Sequence, residues 1–254
     1  MSNYVVMVHM IPYYPDYSRS LAVVKGILAG GAQHIEIQFP FSDPSADGPA
    51  IEKACNVALT QGFTVDKGFE FVKQVRSMVT DQEIHIMTYA SIPVRRGIDR
   101  YCKDVAQSGA VSVILPDIPL DQDEGLLEAT RTHNINLIPV VVPTTTESRL
   151  DLILAHEPSY VYCALRTGIT GTKTELGQTN LDFLDRVRIR TQGYGGRLLG
   201  GFGIQEPSQV AALAPHVYGA VVGSALVKLI QDSMDLSLEE LEQRVAKFVA
   251  SLVG

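Results

Sequence analysis

Short hydrophobic runs of strand length recur along the whole chain, and nearly every one is followed by a stretch whose apolar residues repeat with helical spacing. The runs fall at Tyr4–Met10, Ile35–Phe39, Ile84–Tyr89, Val111–Leu115, Leu137–Val142, Tyr160–Leu165, Arg197–Gly200 and Gly219–Val222. Helical patterns are read at Ser18–Gly30, Val65–Val79, Ile98–Gln107, Asp121–His133, Thr146–His156, Leu181–Thr191, Ser208–Ala214 and Ser224–Gln231, with a last amphipathic stretch at Leu238–Leu252. Alternation at this spacing calls for parallel strands joined by helical crossovers, and eight strands is the number that closes a barrel. The expected fold is α/β, a single (β/α)8 TIM barrel over residues 1–254 with its active site at the C-terminal face of the strands. An open doubly wound sheet is the alternative. Its glycine fingerprint is missing, because Gly201-Phe-Gly203 follows a strand but Glu206 stands where the third glycine belongs.

Composition narrows the function. With 46% hydrophobic and 19% charged residues the chain is globular, and no apolar run approaches the ~20 residues of a membrane span. The N-terminus lacks the basic region of a signal peptide, so a cytoplasmic protein is expected. Cys55, Cys102 and Cys163 are odd in number and widely spaced, which fits buried thiols rather than disulfides or a zinc site. A net charge of −7 without a lysine or arginine block argues against nucleic acid, and Arg186, Arg188 and Arg190 read as the wet face of a helix. The histidines form no HxxxH or HExxH pair, so no metal is expected.

Chemistry concentrates in Gln33–Ala50. Ile35, Ile37 and Phe39 alternate with His34, Glu36 and Gln38, and the next eleven residues hold three prolines, a glycine and two aspartates, a shaped polar loop. Glu36 should point into the barrel, where burial raises a carboxyl toward neutrality and suits it to give and take protons. Asp47 adds a second carboxylate from the loop, so that both can face one substrate. Asp43, in Ser-Asp-Pro, is expected to cap its own turn. His34 competes as an acid or base, with a hydrogen-bonded core histidine the favoured role. Glycines cluster after the last three strands, at Gly168 and Gly171, at Gly200, Gly201 and Gly203, and at Gly223-Ser224. Bare backbone lets amide groups approach a phosphate, and a helix beginning at Ser224 would aim its positive end there.

The run from Glu36 through Pro-Phe-Ser-Asp-Pro-Ser-Ala-Asp-Gly-Pro, together with Arg166-Thr-Gly-Ile-Thr-Gly, Gly201-Phe-Gly-Ile and Val222-Gly-Ser-Ala-Leu-Val-Lys, resembles the tryptophan synthase α subunit family. The resemblance implies a (β/α)8 barrel that performs the retro-aldol cleavage of indole-3-glycerol phosphate to indole and glyceraldehyde 3-phosphate. Its catalytic glutamate and aspartate fall on Glu36 and Asp47. Its active-site tyrosines fall on Tyr89 and Tyr162, its sixth loop on Thr170 and Gly171, and its phosphate-binding backbone on Gly203, Gly223 and Ser224. It implies no metal or organic cofactor in this chain and an α2β2 heterotetramer with a β subunit carrying pyridoxal phosphate. The expected docking segments are Pro40–Pro49 and Ser91–Gly97, with Ser45, Arg95 and Arg96 on the rim.

Departures from the family pattern are also legible. Three residues precede Tyr4 where members usually carry a helix, so the lower mouth is expected to be less covered. Tyr13-Tyr14-Pro15 replaces the usual glycine turn, and Gln38 and Ser91 stand where a glycine and an asparagine are typical. Three rivals stay open: a different phosphate-binding barrel such as a sugar-phosphate isomerase, a free-standing indole-releasing lyase, and a catalytically weak regulatory subunit.

Overall fold

The computed structural model describes residues 4–165, 176–201 and 203–254. Strands β1 (Val6–Met10), β2 (His34–Gln38), β3 (Glu83–Met87), β4 (Ser112–Ile114), β5 (Asn136–Ile138), β6 (Val140–Val141), β7 (Tyr160–Ala164), β8 (Arg197–Gly201) and β9 (Gly219–Val222) form one parallel sheet. Its order runs from β5 through β4, β3, β2, β1, β9, β8 and β7 to β6. Because β5 and β6 are one run interrupted at Pro139, the two ends of that order are the same stretch of chain and the sheet curls into a barrel of eight runs. The interruption is chemical, since proline has no N–H for a ladder. Its carbonyl still accepts from the Tyr162 N–H at 2.9 Å.

The sheet is wrapped by helices α1 (Tyr17–Ala29), α2 (Pro49–Thr60), α3 (Val65–Met78), α4 (Ser91–Arg96), α5 (Ile98–Ser108), α6 (Leu126–Thr132), α7 (Glu147–Leu154), α8 (Gln178–Thr191), α9 (Pro207–Leu213), α10 (Ser224–Gln231) and α11 (Leu238–Val253). Their starts are written in the sequence. Asp16 accepts from the Arg19 N–H to cap α1, and Ser237 and Glu240 form a reciprocal capping box on α11. Helices α1 and α11 meet closely over Gly26 and Gly30, where an added Cβ would come within 2.6 Å of the Glu242 carbonyl and 2.5 Å of Val249 Cβ. Two arginines of α8 reach α7, Arg186 and Arg190 pairing with Glu147, while Arg188 pairs with Asp185 on its own helix.

Strand pleating decides which residues enter the barrel. On β2, Ile35 and Ile37 join the apolar layer under the helices, while His34, Glu36 and Gln38 point inward. Met7, Met87, Ile114, Ile138, Leu199 and Val221 fill the interior between them. All three cysteines are buried and free. Among the described residues no helix is long and apolar enough to cross a membrane.

One helix lies where the sequence pattern carried no reading, and two local expectations need correction. Pro49–Thr60 is a full helix, started by Gly48 and by proline in its first turn, with Ile51, Ala54, Cys55 and Ala58 on its buried stripe. Ser91–Arg96 is a short helix. The stretch from Asp121 opens as a tight turn at Leu120–Gln122, and its helix starts only after Gly125, whose φ of +86° breaks the pattern.

Candidate active site

A pocket partly open to solvent lies at the C-terminal ends of the strands. Its walls are Glu36 and Gln38 of β2, His9 of β1, Tyr162 of β7, Asp47 and Ala46 of the β2 loop, and Gly203, Gly223 and Ser224 beyond β8 and β9, with Met87, Ile114, Val140 and Val221 as its apolar lining.

Glu36 is 4% exposed, and its Oε2 has no hydrogen-bond partner. Burial pushes its carboxyl from the ordinary 4.5 up to about 7, opposed by the adjacent His9 imidazole and assisted by Asp47. Asp47 sits in a turn closed by its own N–H donating to the Pro44 carbonyl at 2.9 Å. Its Oδ2 accepts from Gln38 Nε2 at 2.7 Å and from the Tyr89 hydroxyl at 2.8 Å. Burial raises the Asp47 carboxyl, and His9 and these two donors pull it back.

Gln38 has a second partner. With its amide nitrogen turned to Asp47, its Oε1 accepts from His9 Nε2 at 2.6 Å. That bond places the His9 proton on Nε2 and leaves Nδ1, buried and without a partner, against Gly223. An added Cβ on Gly223 would come within 2.9 Å of that nitrogen. His9, Gln38, Asp47 and Tyr89 thus form one chain of hydrogen bonds along the cavity wall. The sequence gives His9 no expected role and marks Gln38 as a strand residue on the Glu36 face and a departure from the family pattern. The signal was present, since His9 keeps the same inward alternation as Met7.

Tyr89 is placed behind the wall rather than on it. Its hydroxyl donates to Asp47 and accepts from the Ala46 N–H at 3.1 Å, and its ring stacks on Phe41 at 5.5 Å. Tyr162 faces the cavity, where the absence of a side chain at Gly201 makes room for its hydroxyl. Burial, with Glu36 and Asp47 nearby, drives the Tyr162 hydroxyl well above its usual range, so it stays protonated. Gly203, at φ +83°, and Gly223, at the start of α10, edge the cavity where that helix opens with no side chain capping it. Thr170 and Gly171 lie outside the described residues. Asp43 is exposed and accepts from the hydroxyl of its neighbour Ser42 at 2.5 Å, while the turn is closed by the backbone bond from Asp47 to Pro44. His34, the competing acid or base, is bonded to His85 below the cavity.

The family profile described as tryptophan synthase alpha chain matches residues 3–252. The tryptophan synthase alpha chain of Helicobacter hepaticus is 35% identical, across 98% of this chain and 95% of that protein. The corresponding protein of a Roseiflexus species is 34% identical, across 98% and 93%. Among solved structures, Mycobacterium tuberculosis tryptophan synthase superposes with a TM-score of 0.87 at 27% identity, covering 99% of this chain and 93% of that one. A chain of the tryptophan synthase complex from Pyrococcus furiosus does so at 0.86 and 27% identity, with both chains fully covered.

Proposed function

The chain belongs to the tryptophan synthase alpha chain family, the lyases that cleave indole-3-glycerol phosphate in tryptophan biosynthesis, and from that premise we propose how its side chains divide the chemistry. The bond to be broken joins indole C3 to the glycerol carbon. A proton added at C3 ends the aromaticity of the pyrrole ring and leaves N1 as an iminium. Loss of the hydroxyl proton then forms the aldehyde as the carbon–carbon electrons return to the ring.

Glu36 supplies the proton at C3 and takes the one from the hydroxyl. The observation that carries this is its unpartnered Oε2 in the cavity on a carboxyl near 7, which populates acid and base forms together at neutral pH. Asp47, oriented through one oxygen by Gln38 and Tyr89, accepts from N1–H and balances the charge that grows there. Tyr162 and the apolar lining of Met87, Ile114 and Val140 enclose the indole. Gly203, Gly223 and Ser224 receive the phosphate at the uncapped start of α10, and that remote binding orients the reacting bond. Thr170 and Gly171 are carried into the substrate site on the family pattern alone. No step needs a metal or an organic cofactor in this chain.

The test is indole release by Glu36→Gln, which keeps shape and removes the proton. Cleavage is expected to fall by about 10³-fold or more with glycerol 3-phosphate binding retained. Turnover near the parent's would move the acid–base role elsewhere. We further infer a β-subunit partner carrying pyridoxal phosphate, docked on the exposed Ser42, Asp43 and Ser45 and on Val94 and Arg95. Indole is small and apolar, so direct delivery to the next enzyme keeps it from escaping.

A further inference from the structure

At the opposite end of the barrel from the cavity, the strand starts bring together side chains that the cleavage chemistry does not use. His34 opens β2, Glu83 and His85 lie at the start of β3, and Ser112 opens β4. Among the described residues these two histidines and Glu83 are the one group whose nitrogen and oxygen atoms crowd a common point. His34 Nδ1 is 3.0 Å from His85 Nε2 and 3.7 Å from Glu83 Oε2, and His85 Nε2 is 3.9 Å from the same oxygen.

From this geometry we propose that His34 Nδ1, His85 Nε2 and Glu83 Oε2 form a binding site for a divalent transition ion of the zinc class, with a fourth position left for water. Bonds of about 2.0–2.2 Å from a tetrahedral centre place its ligand atoms about 3.3–3.6 Å apart. The three observed separations bracket that spacing, so adjustments of about half an ångström seat the ion.

The surroundings suit the ligands. Two of the three are held in place, His85 through its far nitrogen, Nδ1, at 2.6 Å from the Ser112 hydroxyl, and Glu83 at Oε2 itself, which accepts from the Tyr160 hydroxyl at 2.9 Å and keeps a lone pair for the ion. Ser112 can accept as readily as donate. His85 can therefore carry its proton on Nδ1 when Nε2 takes the ion, and that hydrogen bond is kept. Both histidines are buried, His34 at 3% exposure and His85 at 0%. An opposing charge is Arg197, whose guanidinium donates to the Tyr160 hydroxyl at 3.0 Å and lies over the Tyr218 ring at 4.7 Å. It weakens the site without blocking it. Glu83, about one-third exposed, is the side open to solvent. An ion held here would tie β2 to β3 below Glu36.

The experiment adds cobalt(II) to the full-length chain freed of any affinity tag. The expected result is one cobalt per chain, reported by visible d–d absorption of tetrahedral type and erased by zinc, with a melting temperature that rises on adding zinc. Glu83→Gln keeps an acceptor for Tyr160 and is expected to weaken binding by about tenfold or more. Ser112→Ala, which leaves all three ligands in place, is a second variant expected to weaken it by about tenfold. Folding of each variant is checked by circular dichroism without metal. Absence of the absorption at millimolar cobalt overturns the proposal. So does absorption unchanged in both variants, because the ion would then sit on surface imidazoles such as His156.

Discussion

His9 and Glu36 are register neighbours on β1 and β2, and each presents to the cavity a buried polar atom without a protein partner. A buried polar atom left bare is costly unless something arrives to meet it, which is why we assign these atoms to the substrate pocket. The Glu36 carboxyl titrates near 7 rather than 4.5. Its neutral form therefore contributes stability that is complete below about pH 4.5 and is lost as pH rises through about 7, a difference on the order of 3 kcal/mol. Glu36→Gln is neutral at every pH. Its melting temperature should pull ahead of the parent's between mildly acidic and alkaline solution; a gap that stays constant with pH would mean that Glu36 is not buried as the acid. Gln38 has the complementary part. Gln38→Leu takes an acceptor from His9 and a donor from Asp47, and should cost about 1–3 kcal/mol in denaturant melts. With that donor gone the Asp47 carboxyl rises further, so the acid-side limb of the rate profile moves to higher pH. An unmoved limb would show that Gln38 does not hold Asp47.

What was legible in the sequence at the level of strands and helices was whatever depends on near neighbours. The period of two on β2 turned Glu36 inward correctly, and the glycines after the last strands put Gly203 and Gly223 on one cavity edge. Helix α2 was missed because Gly48-Pro49 punctuates loops and helix starts alike, and only the stripe Ile51, Ala54, Cys55, Ala58 separates the two. Illegible altogether were contacts across dozens of residues: the bond from Gln38 to His9, the seat of Tyr89 behind Asp47, and the meeting of His34 with His85. Such pairings follow from barrel register, which no local pattern encodes. Helix α10 shows how register reaches function. Its start packs Gly223 against His9 so closely that even a methyl group has no room. Gly223→Ala must displace either the imidazole or the helix end, and the inhibition constant of glycerol 3-phosphate should rise by about tenfold or more. Unchanged inhibition would place the phosphate elsewhere on the barrel.

Across the whole molecule, the segment that carries Asp47 also reaches the surface. Ser42, Asp43 and Ser45 are exposed, while Pro44 between them is buried and its carbonyl holds the Asp47 N–H. Pressure on the outer face of this turn is therefore transmitted to the carboxylate that we assign to N1. The neighbouring α4 presents Val94, half exposed, and Arg95. Arg96 is not a free rim charge, because it pairs with Asp104 at 2.7 Å and Asp66 at 2.8 Å and lies over the Phe69 ring at 5.1 Å. On the docking we infer, partner selection falls to Arg95, and Arg96 variants should lower stability instead. A β subunit that orders the turn couples binding to catalysis, and couplings of this kind change a rate or an affinity by about 5–150-fold. Adding the β subunit from the same source should raise indole formation within that range. Asp43→Ala, which removes the Ser42 contact but neither catalytic carboxylate, should keep the basal rate and lose most of the stimulation. Arg95→Glu should slow complex formation in a salt-dependent way. If the isolated chain already turns over at the stimulated rate and elutes alone beside the β subunit at micromolar concentration, it works as a free-standing lyase and the turn has no partner to report.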